Sequence, residues 1–406
     1  MKLAVIGGGA AGFFLAINAK EQCPKLEVTI FEQRNKVLSK LEVSGGGRCN
    51  CTNTFAQVTD LKQVYPRGAG LLKRLFKQFG PQDAYAWFEA HGVPLVAQPD
   101  QRVFPKAQTS HAIINCFTQT AQQLGVRIVL NQRINHPEAL LRCNGGAFDF
   151  VAVTIGGTPN KEGCVPSLFT FTVTDVTLHK LAGTSTSQAL LSIPGTKFIA
   201  DGALLVTHTG LSGPATLKLS SYAARHLADC SYQSPLHINW VGEKNMELVR
   251  HQLMHILDQN ARKQVRNVAP FGLSAKLWAY LLERTQTNVQ QGSTQNKNDT
   301  SPSPNLIEKR CNELSKKDIN RLVNILTSDC YHISGRTSYK EEFVTCGGIA
   351  LDTIHNVTLE SKETPGLYYA GEVLDIDGIT GGFNFTAAWS TAYAVAVAIS
   401  ANLTKE

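Results

Sequence analysis

The feature that most constrains this chain is a glycine cluster that follows its first apolar segment. Lys2–Ile6 has the composition of a short buried strand, and the run GGGAAG follows it directly, before a helical stretch. In a strand–turn–helix unit Gly7 permits the tight turn, Gly9 leaves room for a pyrophosphate, and Gly12 lets the helix approach the sheet. The segment therefore predicts a Rossmann-type site for a dinucleotide.

A second strand supplies the acidic residue that such a site uses. Leu26–Glu32 has β-branched alternation, and Glu32 ends it twenty residues after Gly12. A carboxylate at this position can accept hydrogen bonds from both ribose hydroxyls. This unit alone does not distinguish NAD from FAD. The residues assigned here to cofactor binding are Gly7, Gly9, Gly12, Glu32, Gln33 and Ile134.

A second glycine-rich segment carries side chains suited to a cofactor ring. Three successive glycines precede Arg48, and Asn50 follows it. The glycine N–H groups can face a planar ring or an oxyanion, while Arg48 supplies a cation and Asn50 a donor and an acceptor. The alternative is a glycine-rich surface loop. Lys40, just upstream, can lie near the cofactor or cover the sheet edge, and the sequence favours neither position.

The C-terminal region carries a third glycine-rich pattern. Pro365–Glu372 is strand-like and ends in Gly-Glu, and Gly381-Gly382-Phe383-Asn384 opens the last helix. The N-terminus of a helix offers N–H groups and a partial positive charge, which suits the pyrimidine edge of a reduced flavin. Unblocked N–H groups of Gly381 and Gly382 and a side-chain donor on Asn384 are expected there.

These segments resemble the bacterial HI-type NAD(P)/FAD-dependent oxidoreductases, which include aminoacetone-oxidase-like and bile-acid-reductase-like flavoproteins. The resemblance rests on SGGGRCN-x-TN, RVFP, HTGLSGPA, VTCGG and GEVLDIDGITGGFN, at 44–53, 102–105, 208–215, 344–348 and 371–384. It implies an α/β fold with a Rossmann-like FAD-binding domain akin to fumarate-reductase flavoproteins, a β-barrel insert and a helical insert. It also implies FAD as the cofactor and substrates that include enone-type carbon–carbon double bonds.

The second and third glycine-rich segments and the end of one further strand complete the assigned site. The further residues assigned to cofactor binding are Lys40, Gly46, Gly47, Arg48, Asn50, Gly156, Gly371, Glu372, Asp375, Gly382, Phe383 and Asn384.

Two departures from the family pattern are expected near the flavin. The family's Ala-Thr-Gly-Gly is replaced by Thr154–Gly157, and the glycine-rich turn and helix that usually follow are deleted. The last helix has Phe-Thr-Ala at 385–387 where the family usually has leucine, glutamine and tryptophan. These changes bear on substrate class and turnover more than on FAD binding.

The remaining pattern predicts the domain organisation. Residues 1–160 and 341–406 are expected to form the FAD-binding domain, since its motifs come from both ends. Short alternating runs predict a β-rich insert at 161–242, and helical periodicity predicts a helical insert at 243–340. A polar run at 286–304 cannot bury apolar area and is predicted to be a mobile loop.

Composition and charge limit the function classes. A hydrophobic fraction of 43% indicates a globular protein, and no segment reaches the roughly 18 uninterrupted apolar residues of a membrane span. The ten cysteines lack zinc spacing, so we expect a cytoplasmic protein with reduced thiols and without a metal site. The net charge of +7 comes from dispersed side chains, which disfavours nucleic acid as a partner.

The expected function is that of an FAD-dependent oxidoreductase acting on a small molecule, with reduction of an activated carbon–carbon double bond as one reaction. No second complete G-x-G-x-x-G with a trailing acid follows the first, so NAD(P)H is expected to act only as a transient donor. Two alternatives remain open. One is a flavin-dependent RNA-modifying enzyme, and the other is a non-catalytic flavin sensor.

The sequence does not assign a catalytic residue. Histidine is the side chain that most often serves as an acid or base near neutral pH, so His208 can take that role or be structural. Arg102 can clamp an anionic substrate or be a surface charge. Cys49 can form a thiolate beside Arg48, or it can be a small packed residue.

Overall fold

The structure, a computed structural model, describes residues 1–157, 163–292, 306–337 and 344–403, with the side chains of 286–292 excluded. It contains two units. Unit 1 comprises Met1–Ser167 and Tyr339–Glu406, and unit 2 comprises Leu168–Ser338. Among the described residues, no helix combines the length and apolar character needed to cross a membrane.

The strands and helices of the described residues are numbered in chain order. The strands are β1 (Lys2–Ile6), β2 (Glu27–Phe31), β3 (Thr52–Asn53), β4 (Leu95–Ala97), β5 (Arg102–Pro105), β6 (Arg127–Val129), β7 (Phe150–Val153), β8 (Val165–Ser167), β9 (Phe171–Val173), β10 (Ser185–Ser192), β11 (Ile199–Val206), β12 (Gly210–Ser212), β13 (Ser234–Asn239), β14 (Asp329–Arg336), β15 (Val344–Cys346) and β16 (Leu367–Tyr369). The helices are α1 (Ala10–Gln22), α2 (Ser39–Gly47), α3 (Ala69–Leu75), α4 (Pro81–Ala90), α5 (His111–Gln123), α6 (Val176–His179), α7 (Pro214–Tyr222), α8 (Ala224–Asp229), α9 (Met246–Gln259), α10 (Ala275–Gly292), α11 (Lys316–Thr327) and α12 (Phe383–Leu403).

Five parallel strands form the central sheet of unit 1, in the order β16-β7-β1-β2-β6. The middle strand β1 is apolar throughout its buried part, and Leu3, Ala4 and Val5 are fully buried, as in strands covered on both faces. Helix α1 connects β1 to β2, which completes the predicted βαβ unit.

The core of unit 1 lies where α1 packs against α12. The ring of Phe14 on α1 lies 5.1 Å from Trp389 on α12 and 4.6 Å from Trp87 on α4, between ring centroids. Helix α12 is rich in alanine and buried on most sides. The last helix of the chain therefore covers the first.

Six strands of unit 2 close into a barrel, in the order β10-β11-β12-β9-β14-β13. Leu191, Ile238 and Ile333 on three of these strands are fully buried. The predicted β-barrel insert is thus confirmed. Strand β14 follows α9, α10 and α11 in the chain yet pairs with both β13 and β9. The predicted boundary between 242 and 243 therefore does not separate the barrel strands from the helices.

A buried polar cluster fixes α10 against the barrel. Arg284 on α10 donates hydrogen bonds to Asp175 at 2.6 Å and to Asp329 at 2.9 Å. Trp240 donates its indole N–H to Asp329 at 3.0 Å. Because buried charges are costly unless paired and hydrogen-bonded, this cluster favours one arrangement of helix and barrel.

Several predicted boundaries fall on residues outside the described part of the chain. The domain boundary at 160/161 lies within 158–162, and the boundary at 340/341 lies within 338–343. The predicted mobile loop at 286–304 overlaps α10, which continues to Gly292. Glutamine is a good helix former, and neither glycine nor proline occurs between 286 and 291. The rest of that prediction, at 293–304, lies outside the described residues.

Candidate cofactor-binding site

Two glycines of the N-terminal turn are required by the fold itself. Gly7 has φ of +112°, and a Cβ there would lie 2.6 Å from the carbonyl oxygen of Thr154. A Cβ on Gly12 would lie 2.1 Å from the carbonyl oxygen of Gly7. Both distances are far below van der Waals contact, so these positions exclude larger residues even without a ligand.

Gly9 differs from its neighbours because the protein itself leaves space around it. A Cβ at Gly9 would meet no atom within 4 Å, and Gly9 directly precedes the first turn of α1. The N–H groups of that turn have no partner within the helix and carry a partial positive charge. An anionic group such as a pyrophosphate fits this open helix N-terminus.

The acidic residue at the end of β2 lies beside the same turn. Glu32 accepts hydrogen bonds from the N–H of Gly8 and the N–H of Arg34, each at 2.9 Å. Gln33 is exposed next to it. The chain after β6 runs alongside, since the N–H of Gln132 donates to the carbonyl of Glu32 at 2.8 Å, and half-buried Ile134 follows. These N-terminal residues thus surround the end of one βαβ unit.

The segment at 44–48 forms an irregular turn rather than regular helix. Gly45, Gly46 and Gly47 have φ of +58°, +66° and +79°, and a Cβ on Gly46 or Gly47 would meet no atom within 4 Å. Positive φ values explain the glycines, and the open space fits a ligand approaching the backbone. The Arg48 guanidinium lies over the Phe104 ring, 4.4 Å from its centroid. Arg48 is thereby held beside the turn.

The structure favours the packing interpretation for Cys49. Cys49 is fully buried, and burial raises the pKa of its thiol to about 12. Burial also raises the pKa of Cys51. A thiolate at Cys49 is therefore disfavoured, because burial outweighs the hydrogen bond with Ser44 that would lower the pKa of the thiol.

The surroundings of Arg102 and His208, whose roles the sequence leaves open, are those of surface residues. Arg102 pairs with Asp100 at 2.6 Å, as a surface charge would. His208 is exposed in unit 2. Neither arrangement indicates a catalytic group.

Asn50 and Gly382 lie close together and hydrogen-bond to each other. In the amide orientation that satisfies both polar atoms, Asn50 accepts from the N–H of Gly382 at 2.9 Å and donates to the carbonyl of Thr52 at 3.0 Å. A Cβ on Gly382 would lie 2.2 Å from that same carbonyl oxygen. The expectation of an unblocked Gly382 N–H is therefore wrong, because Asn50 occupies it.

The expected side-chain donor on Asn384 is also engaged within the protein. Asn384 accepts from the N–H of Gly378 at 2.7 Å and donates to the carbonyl of Gly378 at 2.9 Å. The amide thus fixes the loop before α12, and the prediction of a donor directed at the flavin is wrong for this geometry. Phe383 is buried, with its ring 5.1 Å from that of Phe55.

Lys40, Gly156 and Glu372 meet at a second cluster. Lys40 pairs with Glu372 at 3.2 Å, and a Cβ on Gly156 would lie within 4 Å of both side chains. Glu372 also accepts from the N–H of Thr345 at 2.9 Å. The buried hydroxyl of Thr345 has no hydrogen-bond partner among the described residues. Such an unsatisfied group fits a polar ligand edge.

Gly371 and Asp375 connect this cluster to the N-terminal helix and to the loop before α12. Gly371 has φ of +79°, and a Cβ there would lie 2.8 Å from the Cβ of Ala11 on α1. The N–H of Asp375 donates to the carbonyl of Ile349 at 3.0 Å. Close packing against α1 therefore explains the glycine of the Gly-Glu pair.

Sequence reasoning missed a buried ion pair that holds the same loop. Arg67 donates to Asp377 through two nitrogens, and their backbones form an antiparallel bridge. Ser167 donates to the same carboxylate at 3.0 Å. Asp377 is fully buried and Arg67 is 13% exposed. One signal for this pair was present in the sequence, an aspartate inside a glycine-rich motif, but nothing identified its distant partner.

Comparison with known proteins places this geometry in a family. The model of the HI0933-like protein Rossmann domain matches residues 1–398. The ribosomal RNA dihydrouridine synthase of Haemophilus influenzae is 26% identical, with 98% of each chain covered. The 3-dehydro-bile acid delta(4,6)-reductase of Clostridium scindens is 24% identical, with 97% of each covered.

A solved structure is also similar. The open conformation of a flavocytochrome c3 fumarate reductase is 13% identical, with 98% of this chain and 78% of that chain covered, at a TM-score of 0.39. The family model spans nearly the whole chain, and the strand–glycine–helix unit with its acidic residue stands where a Rossmann domain requires it. This chain therefore belongs to the HI0933-like Rossmann-domain family.

Proposed function

We propose that this protein is an FAD-dependent reductase of carbon–carbon double bonds conjugated to a carbonyl group. The family is one of flavin oxidoreductases, and it implies FAD. The names of both relatives describe the same change. Dihydrouridine is uridine whose ring double bond has been saturated, and a delta(4,6)-reductase saturates double bonds conjugated to a 3-oxo group.

The observation that carries the proposal is the space left open along two glycine-lined segments, at Gly9 and at Gly46 and Gly47. Gly9 at the start of α1 would face the pyrophosphate, and Glu32 would bind the ribose. Gly46 and Gly47 leave their backbone accessible on the segment expected to contact the ring. When bound, FAD supplies the two-electron chemistry, and the protein supplies position and electrostatics.

The cluster of Lys40, Glu372 and Thr345 is the best candidate for orienting the ring. Its ion pair is partly exposed, with Lys40 at 59% and Glu372 at 23%. The buried Thr345 hydroxyl lies next to it without a partner among the described residues. A bound polar edge would satisfy this hydroxyl. We also propose NAD(P)H as a donor that visits the site only transiently.

A matched pair of small ketones tests the reaction. The purified protein should release FAD on acid precipitation and be reduced anaerobically by NADPH or NADH faster than free flavin. Mixing the reduced protein with cyclohexenone should restore oxidised-flavin absorbance, whereas cyclohexanone, which lacks the double bond, should not. Equal behaviour of the two ketones, or reduction no faster than for free flavin, would contradict the proposal and favour a flavin sensor.

A second candidate, reduction of uridine in RNA, is favoured by the charge distribution. Residues 168–338 contain 18 lysines and arginines against 12 aspartates and glutamates, so unit 2 carries +6 of the net +7. The positive charge is thus concentrated in unit 2, which differs from the dispersed charge expected from the sequence. Incubation with RNA and NADPH, followed by nucleoside mass spectrometry, should detect uridine that has gained two hydrogens. If the RNA stays unmodified while the protein reduces cyclohexenone, the RNA substrate is excluded and the reaction with small molecules remains.

A further inference from the structure

We infer that unit 2 carries a binding surface for structured RNA, formed by six exposed cationic side chains on its helical segment. The inference rests on the second candidate function, an RNA substrate. We call this surface the basic platform. Its residues are Arg262, Lys263, Arg266, Arg310, Lys316 and Lys317, all of which are exposed.

Backbone hydrogen bonds bring the two halves of the platform together. The N–H of Val265 donates to the carbonyl of Lys309, and the N–H of Cys311 donates to the carbonyl of Lys263, each at 3.0 Å. The segments around 263 and 310 therefore run antiparallel, side by side. Helix α11 begins five residues after Cys311, at Lys316. Charges far apart in sequence thus share one surface.

Buried residues hold the backbone of the platform in place. Val265 and Cys311 are buried beneath it, and Trp278 on α10 donates its indole N–H to the carbonyl of Val265 at 2.8 Å. Cationic groups on a fixed backbone can contact several phosphates at once without losing much backbone entropy. This arrangement differs from a flexible basic tail.

Acidic neighbours do not neutralise the platform. Asp318 pairs with Lys309 at 2.9 Å and with Arg321 at 3.7 Å, and these two cations are not counted in the platform. Within the described residues, none of the six platform side chains forms an ion pair. Glu308 and Glu313 are exposed nearby. A net positive surface therefore remains.

The chemistry of this surface fits a phosphate backbone better than a lipid headgroup layer. Proteins that bind the membrane interface add apolar side chains that insert between lipids. Among the described residues, 260–268 and 306–321 contain no exposed large apolar side chain. Nucleic acid binding instead depends on lysine and arginine contacts to phosphates and needs no such insertion.

Two double variants with the same change in net charge test the platform. Lys316→Gln/Lys317→Gln removes two platform charges, and Lys180→Gln/Lys197→Gln removes two exposed charges elsewhere in unit 2. Binding of a fluorescein-labelled RNA hairpin to the holoprotein is measured by anisotropy over a range of salt concentrations. Each lost phosphate contact should reduce the slope of log K against log salt by about one.

The platform variant should therefore bind more weakly and with a smaller slope, while the control variant should match the wild type. Equal weakening by both variants would show a diffuse charge effect and overturn the inference. The inference would also be overturned if the wild-type protein bound phosphatidylserine vesicles but not the RNA hairpin. The nucleoside mass-spectrometry assay for reduced uridine is run on the same proteins to separate the two ideas. Reduced uridine together with equal binding by both variants would overturn the platform alone, whereas the expected loss of binding without reduced uridine would overturn the reaction alone.

Discussion

At the residue scale, the fold itself requires glycine at positions 7 and 12 of the first turn, but it does not require glycine at position 9. Gly12 has no room for a Cβ, whereas Gly9 has open space around that position. We therefore expect Gly9→Val to remove FAD while leaving the apoprotein folded. Flavin content after acid release and the circular dichroism spectrum measure the two effects. Gly12→Val, the matched control, should fail to fold, and normal FAD content in Gly9→Val would show that the cofactor lies elsewhere.

The hydrogen bonds of Asn384 change what its removal should do. Its amide satisfies both the N–H and the carbonyl of Gly378. Asn384→Ala should lower the free energy of unfolding by about 1–3 kcal/mol, because a partly buried donor and acceptor lose their partner. Urea denaturation measures this loss, and a redox titration of the flavin should show an unchanged midpoint potential. A lower potential with normal stability would instead place this amide at the flavin.

The residues that could be predicted from the sequence are those whose chemistry is local. Gly7, Gly12 and Glu32 follow from one strand–turn–helix pattern. The close packing at Gly7 and Gly12 has the predicted character, and the ribose contact of Glu32 stays a prediction. Arg67 could not be predicted, because its partner Asp377 lies 310 positions away. The engagement of Gly382 by Asn50 was missed for the same reason, since only the folded chain shows which donors are already used.

At the scale of elements, the buried pair of Arg67 and Asp377 holds the loop between β16 and α12. Arg67→Met should lower the free energy of unfolding by about 3–5 kcal/mol, because it leaves a buried carboxylate without its cation. Adding Asp377→Asn should recover part of that loss. A double-mutant cycle on denaturation curves measures the coupling, and strictly additive effects would contradict it. The amount of FAD bound should be highest in the wild type, lower in the double variant and lowest in Arg67→Met.

The contact between α1 and the end of α4 makes stability depend on pH. Burial alone would lower the pKa of His91, but hydrogen bonds to Glu21 and to the Trp87 carbonyl outweigh it and raise the pKa above 6.5. The protonated form therefore stabilises the fold at low pH, and this stabilisation is lost as pH rises through the folded-state pKa. His91→Gln should cost more stability at pH 6 than at pH 8. Thermal denaturation at both values tests this, and Glu21→Gln should reduce the same difference.

At the scale of the whole molecule, a cofactor that binds only the folded chain should stabilise it by mass action. An FAD concentration of 100 times its Kd contributes about 2.7 kcal/mol. The melting temperature of wild-type apoprotein should therefore rise with added FAD, and that of Gly9→Val should not. Scanning calorimetry over an FAD series measures the shift. An equal rise in both proteins would indicate binding away from the N-terminal turn.

The order of strands in the barrel has a consequence for how the chain folds during synthesis. Strand β14 lies between β9 and β13, yet it follows all three helices α9, α10 and α11 in the chain. Until β14 leaves the ribosome, β9 and β13 each have an unpaired edge, and such edges promote association with other chains. Unit 2 therefore completes late, by pairing between segments distant in sequence, which is intrinsically slow. Ribosome-bound chains that end before β14 should be the most prone to aggregate.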